Sequence, residues 1–140
     1  MNDPPTTLPD VEVLVVDFLQ DDPALTGVTV TNVVPPGFDG TTPAVLVSRM
    51  GGVWIDDQRL DTPIVQLECY GADKQAANTI AIAARVRMLH MIGLALPVSG
   101  TATAVIADCV ETDGPRWLPD YLHSAADRYV SFHKLTIRPL

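Results

Sequence analysis

Three histidines and two cysteines are the residues of this chain best suited to act as nucleophile, general base or metal ligand. His90 falls late in a helical pattern, His123 in a loop and His133 in a closing strand pattern. A nucleophilic triad needs a Ser or Cys beside a His that an acid orients. None of the three lies in such a signature, and Cys69 and Cys109 both sit inside apolar, strand-like runs. No two of these five residues come within five positions of each other, so a zinc site is not expected. Asp21-Asp22 and Asp56-Asp57 read as turn and cap residues, because adjacent side chains point apart unless the backbone bends sharply. Gly51-Gly52 precedes β-like residues, not a helix, and offers no cradle for a phosphate. The sequence therefore predicts no catalytic residue, no cofactor-binding residue and no metal ligand.

The remaining chemistry is bulk chemistry. Nine Lys and Arg face 17 Asp and Glu, a net charge of −8. That sign excludes a protein that wraps DNA or docks on an anionic membrane. Residues 76–96 are apolar-leaning but interrupted by Asn78, Thr79, Arg85, Arg87 and His90, so no transmembrane helix is expected. The opening Met1-Asn2-Asp3-Pro4-Pro5 is the reverse of a signal peptide, which predicts a chain made and kept in a cytoplasm. Both cysteines then read as buried thiols. At 47% hydrophobic and 19% charged, the chain is too apolar for disorder, and too apolar for 140 residues to bury it all alone. Some of that surface is expected to face a partner.

Residues 1–8 read as a flexible arm and 9–140 as one domain. Asp10 caps a first helix whose stripe is Val11, Leu14, Val15, Phe18 and Leu19. Residues 28–34 and 44–50 read as strands, with Gly51-Gly52 breaking the second. Residues 53–60 mix Trp54 and Ile55 with charge, an exposed hairpin tip or arm. Val65, Leu67 and Cys69 alternate with Gln66, Glu68 and Tyr70 in a third strand. Asp73 caps a long helix over 74–92. A strand over 103–110, a loop over 111–127 and a final strand over 128–138 complete the order α-β-β-β-α-β-β. The predicted fold is α+β: a mixed, mostly antiparallel sheet of about five strands with two helices packed on it.

The long helix carries two stripes at roughly 100° per residue. Ala77, Ile80, Ala81, Ala84, Met88, Met91 and Ile92 form a core-facing sector. Ile82, Val86 and Leu89 fall on the other side, beside Gln75, Thr79 and His90. Three aliphatics in a line on what should be a polar face read as a subunit or partner interface, with His90 at its rim. Val53, Trp54, Ile55, Asp56, Asp57 and Gln58 are a candidate contact arm, and Trp117, Leu118 and Tyr121 a candidate loop contact, since aromatics on loops serve as interface anchors.

The Pro9-Asp10-Val11-Glu12 helix start, the Gly51-Gly52 step and Glu68-Cys69-Tyr70-Gly71 before an Ala-rich helix form a recognisable series. With Arg116-Trp117-Leu118-Pro119-Asp120 and the closing Arg128-Tyr129-Val130, they resemble the tail terminator (tail-completion) proteins of long-tailed bacteriophages. The likeness is greatest to versions from phages of actinobacteria and spans about 9–138. The resemblance implies a structural virion protein, assembled in the host bacterial cytoplasm, with no catalytic residues. It implies a homo-hexameric ring at the head-proximal end of the tail tube that stops tube polymerisation. One face would meet the tail tube protein, the other the head–tail connector of the neck, with DNA passing through the ring unbound. Six chains of −8 each carry formally −48, a charge that would repel phosphates in the passage. Two alternatives stay open: another neck ring such as a head–tail adaptor or stopper, and a small α/β ligand-binding or hydrolytic domain using His90 or His133 with a nearby acid.

Overall fold

The computed structural model describes residues 8–99, 102–119 and 126–139. The expected arm over 1–8 thus lies almost wholly outside the described residues, as do Tyr121 and His123.

Helix α1 (Val11–Gln20) starts where Asp10 Oδ1 accepts the backbone N–H groups of Glu12 and Val13, satisfying two of the helix's free donors. Its buried side is Val11, Leu14, Val15, Val16, Phe18 and Leu19. Asp22 caps a single 3₁₀ turn, Pro23–Leu25, which ends the helical segment. Strand β1 (Thr29–Thr31) is shorter than the expected 28–34. Thr31 Oγ1 accepts the Val33 N–H and Asn32 reaches Glu12, so these local bonds pull the chain off the ladder.

β2 (Ala44–Ile55) and β3 (Leu60–Gly71) form a long hairpin. The expected break at Gly51-Gly52 is a β-bulge instead: both glycines adopt positive φ, the register shifts between Arg49 and Gly52, and β2 continues to Ile55. Helix α2 (Lys74–Leu89), capped by Asp73, stops three residues before the expected 92, with His90 as its C-cap. Ile92 therefore leaves the core-facing stripe and is exposed, whereas Met91 stays buried.

Two further corrections concern the second half. Strand β4 (Ala95–Ser99) was not expected, because Pro97 reads as a stop; on a sheet edge its missing N–H costs no ladder bond. β5 (Ala102–Trp117) runs on through the first part of the expected loop, and two register shifts, between Glu111 and Asp113 and between Asp113 and Arg116, let it absorb Asp113, Gly114 and Pro115. β6 (Asp127–Pro139) completes the sheet. The order is β1-β2-β3-β6-β5-β4, six strands rather than five, antiparallel except for β1 beside β2. The sheet curls, so that α1 touches β1 and β2 near one edge and β4 at the other. Both helices pack on its inner face, over Val45, Val47, Val65, Leu67, Cys69, Ile106, Leu135 and Ile137. On the outer face Tyr70 is buried under Phe38, ring edge to ring face.

Candidate interaction surfaces

The inner side of α2 is fully packed: Ala77, Ala84 and Met88 have no exposure at all. Its outer side is the reverse, with Ile82 49%, Val86 48% and Leu89 53% exposed. Ile92 and Leu94 extend this apolar line past the helix end, and His90 is exposed beside it. Cations mark the helix's two flanks. On one, Arg87 Nε donates to the Phe18 carbonyl at 3.0 Å and its guanidinium lies 3.8 Å over the Phe18 ring, facing α1. On the other, Arg85 meets Glu111 at 2.7 Å and the Lys74 ammonium lies 4.4 Å over Trp117, facing β5.

The 53–58 segment is the tip of the β2–β3 hairpin. Val53, Asp56, Asp57 and Gln58 are exposed, while Trp54 and Ile55 are half-buried. Trp54 Nε1 donates to Asp56 Oδ1, and the Arg59 guanidinium also reaches that oxygen, which closes the turn. The root of this arm is tied down by residues that sequence reasoning missed. Arg49 grips Asp61 through two bonds of 3.0 and 2.9 Å, and Asp61 is only 2% exposed. Arg49 Nε also donates to the Gly51 carbonyl. Glu12 accepts the Arg49 backbone N–H at 2.7 Å and, with its other oxygen, Asn32 Nδ2. The signal available was hairpin register, which sets Trp54 opposite Asp61 once the turn is placed at 56–59. Around this root Val33, Val34, Met50 and Val53 are all exposed, a second apolar surface.

Trp117 closes β5 and Leu118 follows it, both exposed. Trp117 Nε1 donates to Asp127, and the Leu118 backbone pairs with Arg128. Tyr121, the third residue of that group, lies outside the described residues.

No group of three metal-ligating side chains occurs among the described residues. Cys69 and Cys109 are free, buried thiols, pushed up to about 12 and about 11: burial acts first on each, then Glu68 on Cys69 and Asp108 and Glu111 on Cys109. His133 is fully buried and 3.7 Å from Glu111 Oε2, and neither ring nitrogen has a hydrogen-bond partner. Among the described residues no hydroxyl or thiol is bonded to it, the arrangement that a nucleophilic triad requires. Burial pulls its pKa below the usual histidine value, with Arg85 adding to the effect and Glu111 opposing it.

A lowered folded-state pKa means that the unfolded chain takes up the proton first. The contribution of His133 is complete above about pH 6.5 and is lost as pH falls below that value, at up to about 1.4 kcal/mol per pH unit. Urea midpoints are expected to drop between pH 7.5 and 5.5, and His133→Leu to flatten that slope. An equal slope in the two proteins would show that other groups carry it.

A family model described as "Phage tail termination protein" matches residues 7–124. A chain in a solved structure titled "Virion of native gene transfer agent (GTA) particle" has the same fold, with TM-score 0.66 over 91% of this chain and 93% of that one, at 16% identity. No curated protein matches the sequence. No helix among the described residues is long and apolar enough to cross a membrane. Matched by that model over most of its length, the chain belongs to the phage tail termination proteins, structural components of the virion and not enzymes.

Proposed function

We propose that six copies of this chain form a ring at the head-proximal end of the phage tail tube. The ring ends tube polymerisation, seats against the last ring of tube protein on one side, and offers the other side to the neck connector. The observation that carries this reading is the apolar line Ile82, Val86 and Leu89 on a helix whose opposite side is already filled. A monomer gains nothing by leaving three aliphatics in register in water; neighbours packed side by side would cover them. The related fold in a virion particle supports assembly into a larger body. The net charge of −8 per chain suits a passage through which DNA slides without being held.

Deletion of residues 54–58 tests the reading. The clamp of Arg49 on Asp61 lies below the cut, so the variant is expected to fold with an unchanged circular dichroism spectrum. Phage carrying it are expected to make tails of uncontrolled length and few infectious particles. Tails of normal length from the variant would remove the arm from tail completion.

A further inference from the structure

We infer that the 53–58 arm and its apolar root dock on the exposed α2 stripe of the next copy in the ring. This inference rests on the ring reading and names the two surfaces that meet. A closed ring needs heterologous contact, with two different patches of one chain facing each other across every boundary. The described residues offer two that suit: Ile82, Val86 and Leu89 on α2, and Val33, Val34, Met50 and Val53 at the arm root.

Their placement fits. The α2 line sits on the flank turned from α1 toward β5, as the Arg87–Phe18 and Arg85–Glu111 contacts show. The arm root sits by the start of α1, where Glu12, itself bonded by Asn32, accepts the Arg49 backbone N–H, away from the β5 flank. The heights agree as well. α2 begins near Gly71 and Trp117, at one end of the sheet, and leads to β4 at the other. Its C-terminal half thus lies level with the row Asp61, Ile137 and Ile106, from which the arm projects. Two patches at one height on opposite flanks close a flat ring; patches at different heights would build a rising helix.

Charge agrees with geometry. α2 carries Lys74, Arg85 and Arg87 and no carboxylate, in a chain where acids outnumber bases 17 to nine. The arm presents Asp57 at its exposed tip, beside Asp56, whose carboxylate Arg59 already faces. Opposite signs around apolar centres set register and suppress wrong pairings. The doubly bonded Arg49–Asp61 pair fixes the arm's direction before contact, which lowers the ordering cost of binding.

The test is cross-linking in assembled tails made with the full chain. Val53→Cys is combined with Val86→Cys in one variant, and Met50→Cys with Leu89→Cys in a second. All four positions are exposed, so both variants are expected to fold, and the buried Cys69 and Cys109 stay out of the reaction. A disulfide needs Cα atoms within about 7 Å. Mild oxidation of at least one pair is expected to give a ladder up to six chains on a non-reducing gel, while the single-cysteine variants stop at two. Rings visible on the tail ends with no ladder from either pair would overturn this contact and leave the ring itself standing. Tail ends without rings, in the parent and both variants, would overturn the ring and the contact together.

Discussion

Val86→Glu is expected to yield a folded protein that cannot join the proposed ring. Val86 is about half exposed and its side chain points away from the packed side of α2. Glutamate has at least the helix propensity of valine, so the free chain should stay within about 0.5 kcal/mol of the parent. Assembly is different. Each subunit boundary would then have to bury a carboxylate whose helical neighbours three and four residues away are Ile82, Ala83, Leu89 and His90. The two flanking cations are already engaged, Arg85 by Glu111 at 2.7 Å and Arg87 by the Phe18 carbonyl and ring. Burying an ion without a ready partner costs several kcal/mol, and about 3 kcal/mol at one boundary weakens association more than 100-fold. A ring repeats that cost at every boundary. Val86→Ala, which removes two methyl groups and adds no charge, should weaken rings far less. Negative-stain images of tail ends and the infectious titre are the measurements. Rings as frequent with Val86→Glu as in the parent would mean that this face of α2 is not a contact between subunits.

The α2 stripe was legible because helical periodicity is local: once Asp73 caps the helix, the side to which Ile82, Val86 and Leu89 belong follows from spacing alone. The alternation in β3 was legible for the same reason: Val65, Leu67 and Cys69 share one face, and that face lies in the core. What failed was non-local. β4 exists because the start of β5 offers it an edge, and nothing in Ala95 or Pro97 announces that partner. Glu111, Asp113, Gly114 and Pro115 have loop composition, yet β6 beside them holds the chain as a bulged strand. Arg49 and Asp61 carry no local signal of pairing, and only the hairpin register and the bulge bring them within 3.0 Å. His133 reads as a possible catalytic base, and the fold buries it fully beside Glu111, with neither ring nitrogen hydrogen-bonded among the described residues. Ile92 shows the same limit on a smaller scale, since the helix stops before the periodicity does.

Gly52→Ala is expected to damage the arm root much more than Gly51→Ala, although the two glycines are adjacent and almost identical in φ. Both have φ near +100°, at 106° for Gly51 and 101° for Gly52, where an L side chain is strained by roughly 1–3 kcal/mol. The difference is space. A Cβ on Gly51 would meet nothing within 4 Å, whereas one on Gly52 would lie 2.1 Å from the Thr62 carbonyl oxygen and 2.6 Å from Pro63 Cα. Those are backbone atoms of the paired strand and cannot swing aside as a side chain could. β2 and β3 would have to part at the bulge, breaking the bonds of the Thr62 hydroxyl to the Val53 backbone and pulling Arg49 off the buried Asp61. Breaking a buried pair alone costs about 3–5 kcal/mol when one charge is left behind. Gly52→Ala is therefore expected to lower stability by at least about 3 kcal/mol, or roughly 10 °C in Tm, against about 1 kcal/mol for Gly51→Ala. Paired thermal melts of the two variants decide it. Equal losses would mean that the strain of the bulge lies in its dihedral angles alone, and that the close approach of β3 to Gly52 does not hold the arm in place.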